Sequence, residues 1–185
     1  MTSIEVLVAV EKTKHDRGFP IGQNGDLPWE RIADDMAIFQ RETDGETTLM
    51  GKDTYQSIPE QYRPFKNRQS IVLTESEPGL DDGYDDDVLT TASSLDNGIK
   101  SSIHDRIFII GGERPYRESL EKDLVDILRV TEVDMDDENI TPRFDTYNPD
   151  TFFDFDRGKW ELIEENPYDG LSYEGFSHKV FQRKD

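Results

Sequence analysis

Apolar residues fall in short bursts along the chain, and the bursts alternate between strand-like and helix-like spacing. IEVLVAV, Ile4 to Val10, is a continuous β-branched run, the pattern of a strand buried on both faces. Glu11 to Trp29 follows as a loop. RIADDMAIFQRE then places Ile32, Met36 and Phe39 at i, i+4 and i+7, which predicts a helix with one apolar face. TTLMG is a second strand ended by Gly51, DTYQSI begins a second helix, and SIVLT, Ser70 to Thr74, is a third strand. EPGLDDGYDDD is an acidic, turn-rich surface loop. A weak helix around Ser94 to Ser101 leads to RIFIIGG, the most apolar strand. RPYRESLEKDL is a helix with Pro115 suited to its first turn, and ILRVTEV is another strand. Short strands between Gly and Pro turns close the chain at GFSHKVFQRK. Strands alternating with helices, then a hairpin-like end, predict an α/β domain with a mostly parallel sheet.

Length and charge narrow this. A chain of 185 residues is expected to form one domain, 1–185, around one core. With 41 acidic residues against 21 basic ones the net charge is -20. Such a surface repels nucleic acid and anionic membranes, so neither is expected as a partner, and it repels itself; a monomer is expected. Folding should gain from salt that screens the repulsion, as in proteins of a high-salt cytoplasm. A disordered acidic chain has the same charge balance, but recurring apolar strands oppose it. Cysteine is absent, and neither a signal peptide nor a run of roughly 20 apolar residues is visible, which points to the cytoplasm. His15, His104 and His178 are scattered without ligand spacing, so no metal is expected.

Several stretches carry chemistry. Asp35 lies three after Ile32 and four before Phe39, at the edge of the apolar helix face, whereas Asp34 falls roughly opposite, in water. A carboxylate on such a face costs free energy unless something binds it. Either it reaches water at the rim, or it sits in a pocket with a raised pKa, ready for a cationic or amidine-like donor pair. MGKDTYQSI sets Gly51, Lys52 and Thr54 at a strand-to-helix junction suited to an anion, while Asp53 with Gln56 reads equally well as a self-contained capping box. IIGGERPY sets a Gly pair between a buried strand and a helix, where a backbone can approach a pyrophosphate, but it is not the G-x-G-x-x-G fingerprint. Arg68 precedes a strand, where its fork could hold a ligand carboxylate or simply neutralise nearby acids. IGQNGDLPWER is odd for a loop: an Asn-Gly turn, then apolar Leu-Pro-Trp, then a helix at once.

The order of these strings resembles the dihydrofolate reductase family, from VLVAV through IGQNGDLPW, DDMAIFQRET, LMGKDTYQSIPEQYRPFKNR, SIVLT and FIIGGERPY to RVTEV, residues 4 to about 135. The resemblance implies a three-layer α/β fold with a central, mostly parallel eight-stranded sheet, flanking helices and an antiparallel C-terminal hairpin. It implies NADPH-dependent reduction of dihydrofolate, a target of methotrexate and trimethoprim, and together with the acidic composition it points to a halophilic-type archaeal or viral member. Asp35 would be the pocket acid, supported by Thr131. Trp29 would hold a water near the reacting ring under the cover of Leu27. Leu7, Val8, Ala9, Met36, Phe39, Ile58, Phe65 and Ile110 would line the substrate site, and Arg68 would take the α-carboxylate of the glutamate tail. Ala9, Ile21, Gly22, Asn24, Gly25, Asp26 and Ile110 would surround the nicotinamide and its ribose. Gly51, Lys52, Asp53, Thr54, Leu73, Thr74, Glu75 and Ser93 would meet the adenosine side, with Gly111, Gly112, Glu113, Arg114, Pro115 and Tyr116 along the pyrophosphate.

The chain also departs from that pattern. The loop Glu11 to Pro20 is longer than usual. Acids stand at Asp53, Glu75 and Glu113, leaving Lys52 as the only clear cation expected near the 2′-phosphate. ENIT replaces the usual Gly-Asp-Thr, with Thr141 the one match. Two competing readings are a pyrimidine reductase of riboflavin synthesis and a non-catalytic folate-binding or structural protein. Leu-Pro-Trp together with Asp35 opposes the first.

Overall fold

Eight strands follow one another in the hydrogen-bonded order β5-β4-β3-β6-β1-β7-β10-β9, and two more form a separate ribbon. The computed structural model describes residues 2–75, 80 and 83–184. The main strands are β1 (Ser3–Glu11), β3 (Thr47–Gly51), β4 (Gln69–Leu73), β5 (Leu89–Ala92), β6 (Arg106–Gly111), β7 (Ile127–Val133), β9 (Trp160–Glu165) and β10 (Phe176–Arg183). The ribbon pairs β2 (Phe19–Gly22) with β8 (Thr151–Phe153). Helices are α1 (Ala33–Thr43), α2 (Lys52–Ser57), α3 (Leu95–Lys100) and α4 (Glu113–Glu121). The chain therefore has the mixed eight-stranded α/β architecture and the antiparallel C-terminal hairpin that the sequence implied. It divides into two compact units, residues 1–5 with 43–125, and residues 6–42 with 126–185.

The first unit holds the parallel part of the sheet. β3 pairs in parallel with both β4 and β6, and β4 with β5. β3, β4 and β6 are buried along nearly their whole length, as parallel strands covered by helices on both faces are. Met50, Tyr55, Val72 and Leu89 form a core onto which Ile58, Phe65 and Ile110 pack. α3 lies close on this layer at Gly98, where a Cβ would stand 2.9 Å from Leu49 Cδ1. Ser94 caps α3 by accepting from Asn97 N, so the weak helix has a definite start.

The second unit is antiparallel, with β10 between β7 and β9. Trp29, Ile38, Val133, Ile140 and Phe176 form its core, with Ala9, Leu27 and Ile32 packed against it. This corrects the expected helix face: Ile38 is the buried apolar residue of α1, whereas Met36 and Phe39 are only half buried.

The long loop Glu11 to Trp29 is also corrected, since β2 lies inside it. Phe19 pairs with Phe153, and Phe155 joins them at ring distances of 6.0 and 5.6 Å. Arg157 lies over Phe19, Phe155 and Phe181. Pro20 hid the strand, because proline is read as a break yet is tolerated on an edge strand. Gly18 is required beside it: its φ is +125°, and a Cβ would stand 2.7 Å from Phe153 O. Most of EPGLDDGYDDD's first half lies outside the described residues.

Candidate active site

In the second unit, Asp35 lies in the first turn of α1, half-buried and facing Thr131 of β7. Thr131 Oγ1, on β7, donates to Asp35 Oδ1 at 2.6 Å. Burial pushes the Asp35 pKa up to about 6, against the lowering effect of the Thr131 bond. The carboxylate is thus partly withdrawn from water and tied to β7 rather than fully solvated at the rim. Asp34 is not merely solvated: it accepts from both N and Oγ of Ser172 at 2.9 Å, which lowers its pKa. The pKa values of these two adjacent aspartates are thus shifted in opposite directions, one carboxylate holding a loop and the other half-buried beside Thr131.

The stretch IGQNGDLPWER has a structural reason for its composition. Asn24 and Gly25 both have positive φ, the requirement of a type I′ turn, and Gln23 and Asp26 exchange backbone hydrogen bonds across it. Asp26 accepts from Leu27 N at 2.8 Å and pairs with Arg143, so its carboxylate holds its own loop. Residues 28–30 then pair with 141–143: Glu30 N donates to Thr141 O and Arg143 N to Pro28 O. Trp29 is thereby driven into the core, 1% exposed, with Leu27 against the same cluster. Leu7 and Val8 are buried on β1, and Ala9 faces the Trp29 cluster. Ile21 is half buried, and Gly22 lies so close to Thr151 that a Cβ would stand 2.2 Å from its Oγ1.

The first unit brings together the residues expected at the phosphates. A Cβ on either Gly111 or Gly112 would stand 3.2 Å from Thr54 Oγ1, and their peptide bond is cis. Gly51 faces Pro115 and Gly112, and Tyr116 is buried beneath Gly111. Side chains are excluded here, leaving bare main chain at the start of α4. Leu73, Thr74 and Ser93 mark the ends of β4 and β5, where Thr74 N donates to Ala92 O.

Two expectations fail in this unit. The Asp53–Gln56 capping box does not form: α2 starts at Lys52, its cap is Gly51, and no side chain caps it. Asp53 is inside the first turn, two residues past the cap position. Nor is Lys52 the only cation on this side, because Arg114 Nη2 approaches Glu75 Oε1 at 3.2 Å. Glu113 instead pairs with Arg117.

Arg68 lines a cavity of about 600 Å³ with Arg63, Phe65, Lys66, Tyr84 and His104. Its guanidinium lies 5.2 Å from the Phe65 ring centre, and burial lowers its pKa. Arg63 has another task, donating to Tyr55 O and Gln56 O at the end of α2.

Sequence reasoning missed His178. It lies opposite Thr131 in the β10–β7 register, wholly buried. Its contact with Thr131 joins positions 47 residues apart, and no local pattern signals that. Among the described residues no group of three or more His, Asp or Glu could hold a metal, and no helix is long and apolar enough to cross a membrane.

The model of the dihydrofolate reductase family matches residues 3–183. A dihydrofolate reductase of Mus musculus is 33% identical over 189 residues, covering 89% of this chain and 91% of its own length. That of Candida albicans is 30% identical over 168 residues, 86% of this chain and 81% of its own. Dihydrofolate reductase HdrB of Haloferax volcanii is 28% identical over 162 residues, 86% and 77%. The chain is an α/β oxidoreductase. It belongs to the dihydrofolate reductase family, whose reaction is the reduction of dihydrofolate to tetrahydrofolate.

Proposed function

We propose that this chain reduces 7,8-dihydrofolate to 5,6,7,8-tetrahydrofolate with NADPH, supplying one-carbon metabolism and thymidylate synthesis, with Asp35 as its acid. The observation that carries this is the half-buried Asp35 carboxyl, raised to about 6 and tied to Thr131. A group so placed is still ionised for the most part at neutral pH, yet holds a proton far more often than an ordinary aspartate. As a carboxylate it accepts two hydrogen bonds, from the pterin's ring nitrogen and exocyclic amine. It favours protonation of the adjacent imine nitrogen, directly or through water. NADPH supplies the hydride that the neighbouring carbon receives.

The rest of the set serves binding and orientation. Trp29 and Leu27 fix the floor beside the pterin, and Leu7, Val8, Met36 and Phe39 exclude water. Arg68 takes the α-carboxylate of the glutamate tail. The bare Gly111–Gly112 main chain suits a cofactor pyrophosphate, since a Cβ on either glycine would press on Thr54. Lys52 and Arg114 offer positive charge to the adenosine phosphate, and the turn at 21–26 with Ala9 borders the nicotinamide. Both compact units belong to one reductase domain, a cytoplasmic monomer kept apart from nucleic acid and membranes by its charge of -20.

The test is NADPH-dependent turnover of dihydrofolate in molar KCl, alongside methotrexate binding. Turnover with tight methotrexate binding is the expected result. Methotrexate binding without turnover would make the chain a folate-binding protein only, and neither would overturn the reading.

A further inference from the structure

Thr131 Oγ1 lies between two groups, 2.6 Å from Asp35 Oδ1 and 3.0 Å from His178 Nδ1. A hydroxyl has one proton to donate and lone pairs to accept with. An ionised carboxylate can only accept, so the Thr131 proton goes to Asp35. What faces His178 is then a lone pair, and the 3.0 Å contact needs a proton on Nδ1. The far side of the ring selects the same tautomer. His178 is fully buried, and its Nε2 has no hydrogen-bond partner among the described residues. A proton there would be an orphaned donor in the core, a rarer and costlier state than an unused acceptor lone pair.

The ring has little freedom to turn away. His178 sits directly opposite Thr131 in the β10–β7 pairing. Its backbone is held on both sides by Asn166, whose Oδ1 accepts from His178 N at 2.8 Å and whose N donates to His178 O at 2.7 Å. The Tyr168 ring packs against it at 5.8 Å. The charged groups nearby are Arg129, two residues before Thr131 on β7, and Glu42 of α1, which pairs with Arg129 at 3.4 Å and accepts from Tyr168 Oη. Burial and the Arg129 charge push the His178 pKa down to about 4, so the ring is neutral over the working range.

We propose that His178 is a positioning residue for the reduction: its Nδ1–H fixes the Thr131 hydroxyl, which in turn donates to Asp35 Oδ1 and leaves Oδ2 as the oxygen that exchanges protons. This deepens the reading of Asp35 as the site's acid and rests on it. Without the histidine donor, the Thr131 hydroxyl turns to other acceptors for part of the time. Asp35 then loses a hydrogen bond that favours its ionised form.

Two measurements decide the matter. Long-range proton–nitrogen NMR on histidine-labelled protein at neutral pH should show His178 as the Nδ1–H tautomer. The Nε2–H tautomer would overturn the proposal, and this readout needs no activity. Carbon NMR of labelled aspartate should show the Asp35 midpoint rising in His178→Phe by about half to one pH unit, the scale of one neutral hydrogen bond. Thr131→Val should give a similar rise, and the double variant no more than either alone. His178→Gln, which keeps a donor, should recover part of the shift and serves if the Phe variant does not fold. The acid limb of kcat/KM for dihydrofolate should move with the midpoint. A shift in Thr131→Val with none in His178→Phe, or additive shifts, would refute the relay. Absence of turnover with tautomer and midpoints as stated would instead refute the assigned reaction.

Discussion

Arg114 Nη2 lies 3.2 Å from Glu75 Oε1, joining the first turn of α4 to the segment just past β4, with both side chains largely exposed. An exposed pair of this kind contributes little to stability and opens easily. An incoming phosphate offers Arg114 a better partner, since it accepts two parallel hydrogen bonds with more charge. If the 2′-phosphate binds here as proposed, Glu75 would oppose it twice, by repelling it and by holding Arg114. NADPH should be preferred over NADH, by a smaller margin than is usual in the family. Glu75→Gln should widen the ratio of kcat/KM values, while Arg114→Gln and Lys52→Gln should each narrow it. If neither cation changes the ratio at fixed KCl, the adenosine phosphate lies elsewhere.

Asp35→Asn should cost about 10²- to 10⁴-fold in turnover near neutral pH, the range for losing a positioned acid. The asparagine keeps an oxygen for Thr131, so the fold should hold. Asp34→Asn should leave turnover close to the parent value, because Asp34 anchors Ser172 and nothing else that the chemistry uses. Equal losses from both would show that the two aspartates are not divided in this way.

How much of this was legible beforehand depended on distance along the chain. The parallel strands β3, β4 and β6 were plain, because burial on both faces leaves uninterrupted apolar runs. Asp35 was visible as a charge at the edge of an apolar helix face. Which of Ile32, Met36, Phe39 and Ile38 would be buried was not, because the stripe is set by Val133, Ile140 and Phe176 from distant segments. Strand β2 was hidden for the same reason: FPIG becomes a strand only against TFF, more than 130 residues away. The capping box failed on a two-residue shift in where α2 begins, below the resolution of any sequence signal. The two pairings that most alter the site, Thr131 with His178 and Arg114 with Glu75, depend on register and loop placement, which spacing does not encode.

Stability should rise with KCl from low salt toward about 1 M, where the Debye length has shrunk to about 3 Å and screening is nearly complete. The driving term is the self-repulsion of a chain carrying -20. Screening also weakens exposed pairs such as Lys14–Asp154, but each of those contributes little. Melting temperature measured across a KCl series tests this. A flat or falling curve would remove the case for adaptation to high salt.

Asp35 and His178 should pull the pH dependence of stability in opposite directions. Asp35 has its folded pKa raised to about 6 from 3.8. The native state therefore binds the extra proton between those values, and this contribution is full below pH 3.8 and lost as pH rises through about 6. His178 has its folded pKa lowered to about 4 from 6.5, so its contribution is present above pH 6.5 and lost as pH falls through about 4. Each spans roughly two pH units, up to about 3 kcal/mol before screening by solvent. In the parent protein the two largely offset each other between pH 4 and 6.5. Asp35→Asn removes the first alone, so relative to the parent it should gain stability at pH 7.5, by about 1–3 kcal/mol, and lose that advantage on acidification. His178→Phe should show the opposite slope relative to the parent. Comparing variants with the parent at each pH cancels the falling surface charge common to all, and the exposed aspartates with lowered pKa, such as Asp34 and Asp134, act only nearer pH 4 and below. Unfolding by urea at pH 7.5, 6 and 4.5 measures the differences. Parallel pH profiles for all three proteins would mean that neither group is titrating from the buried environment described.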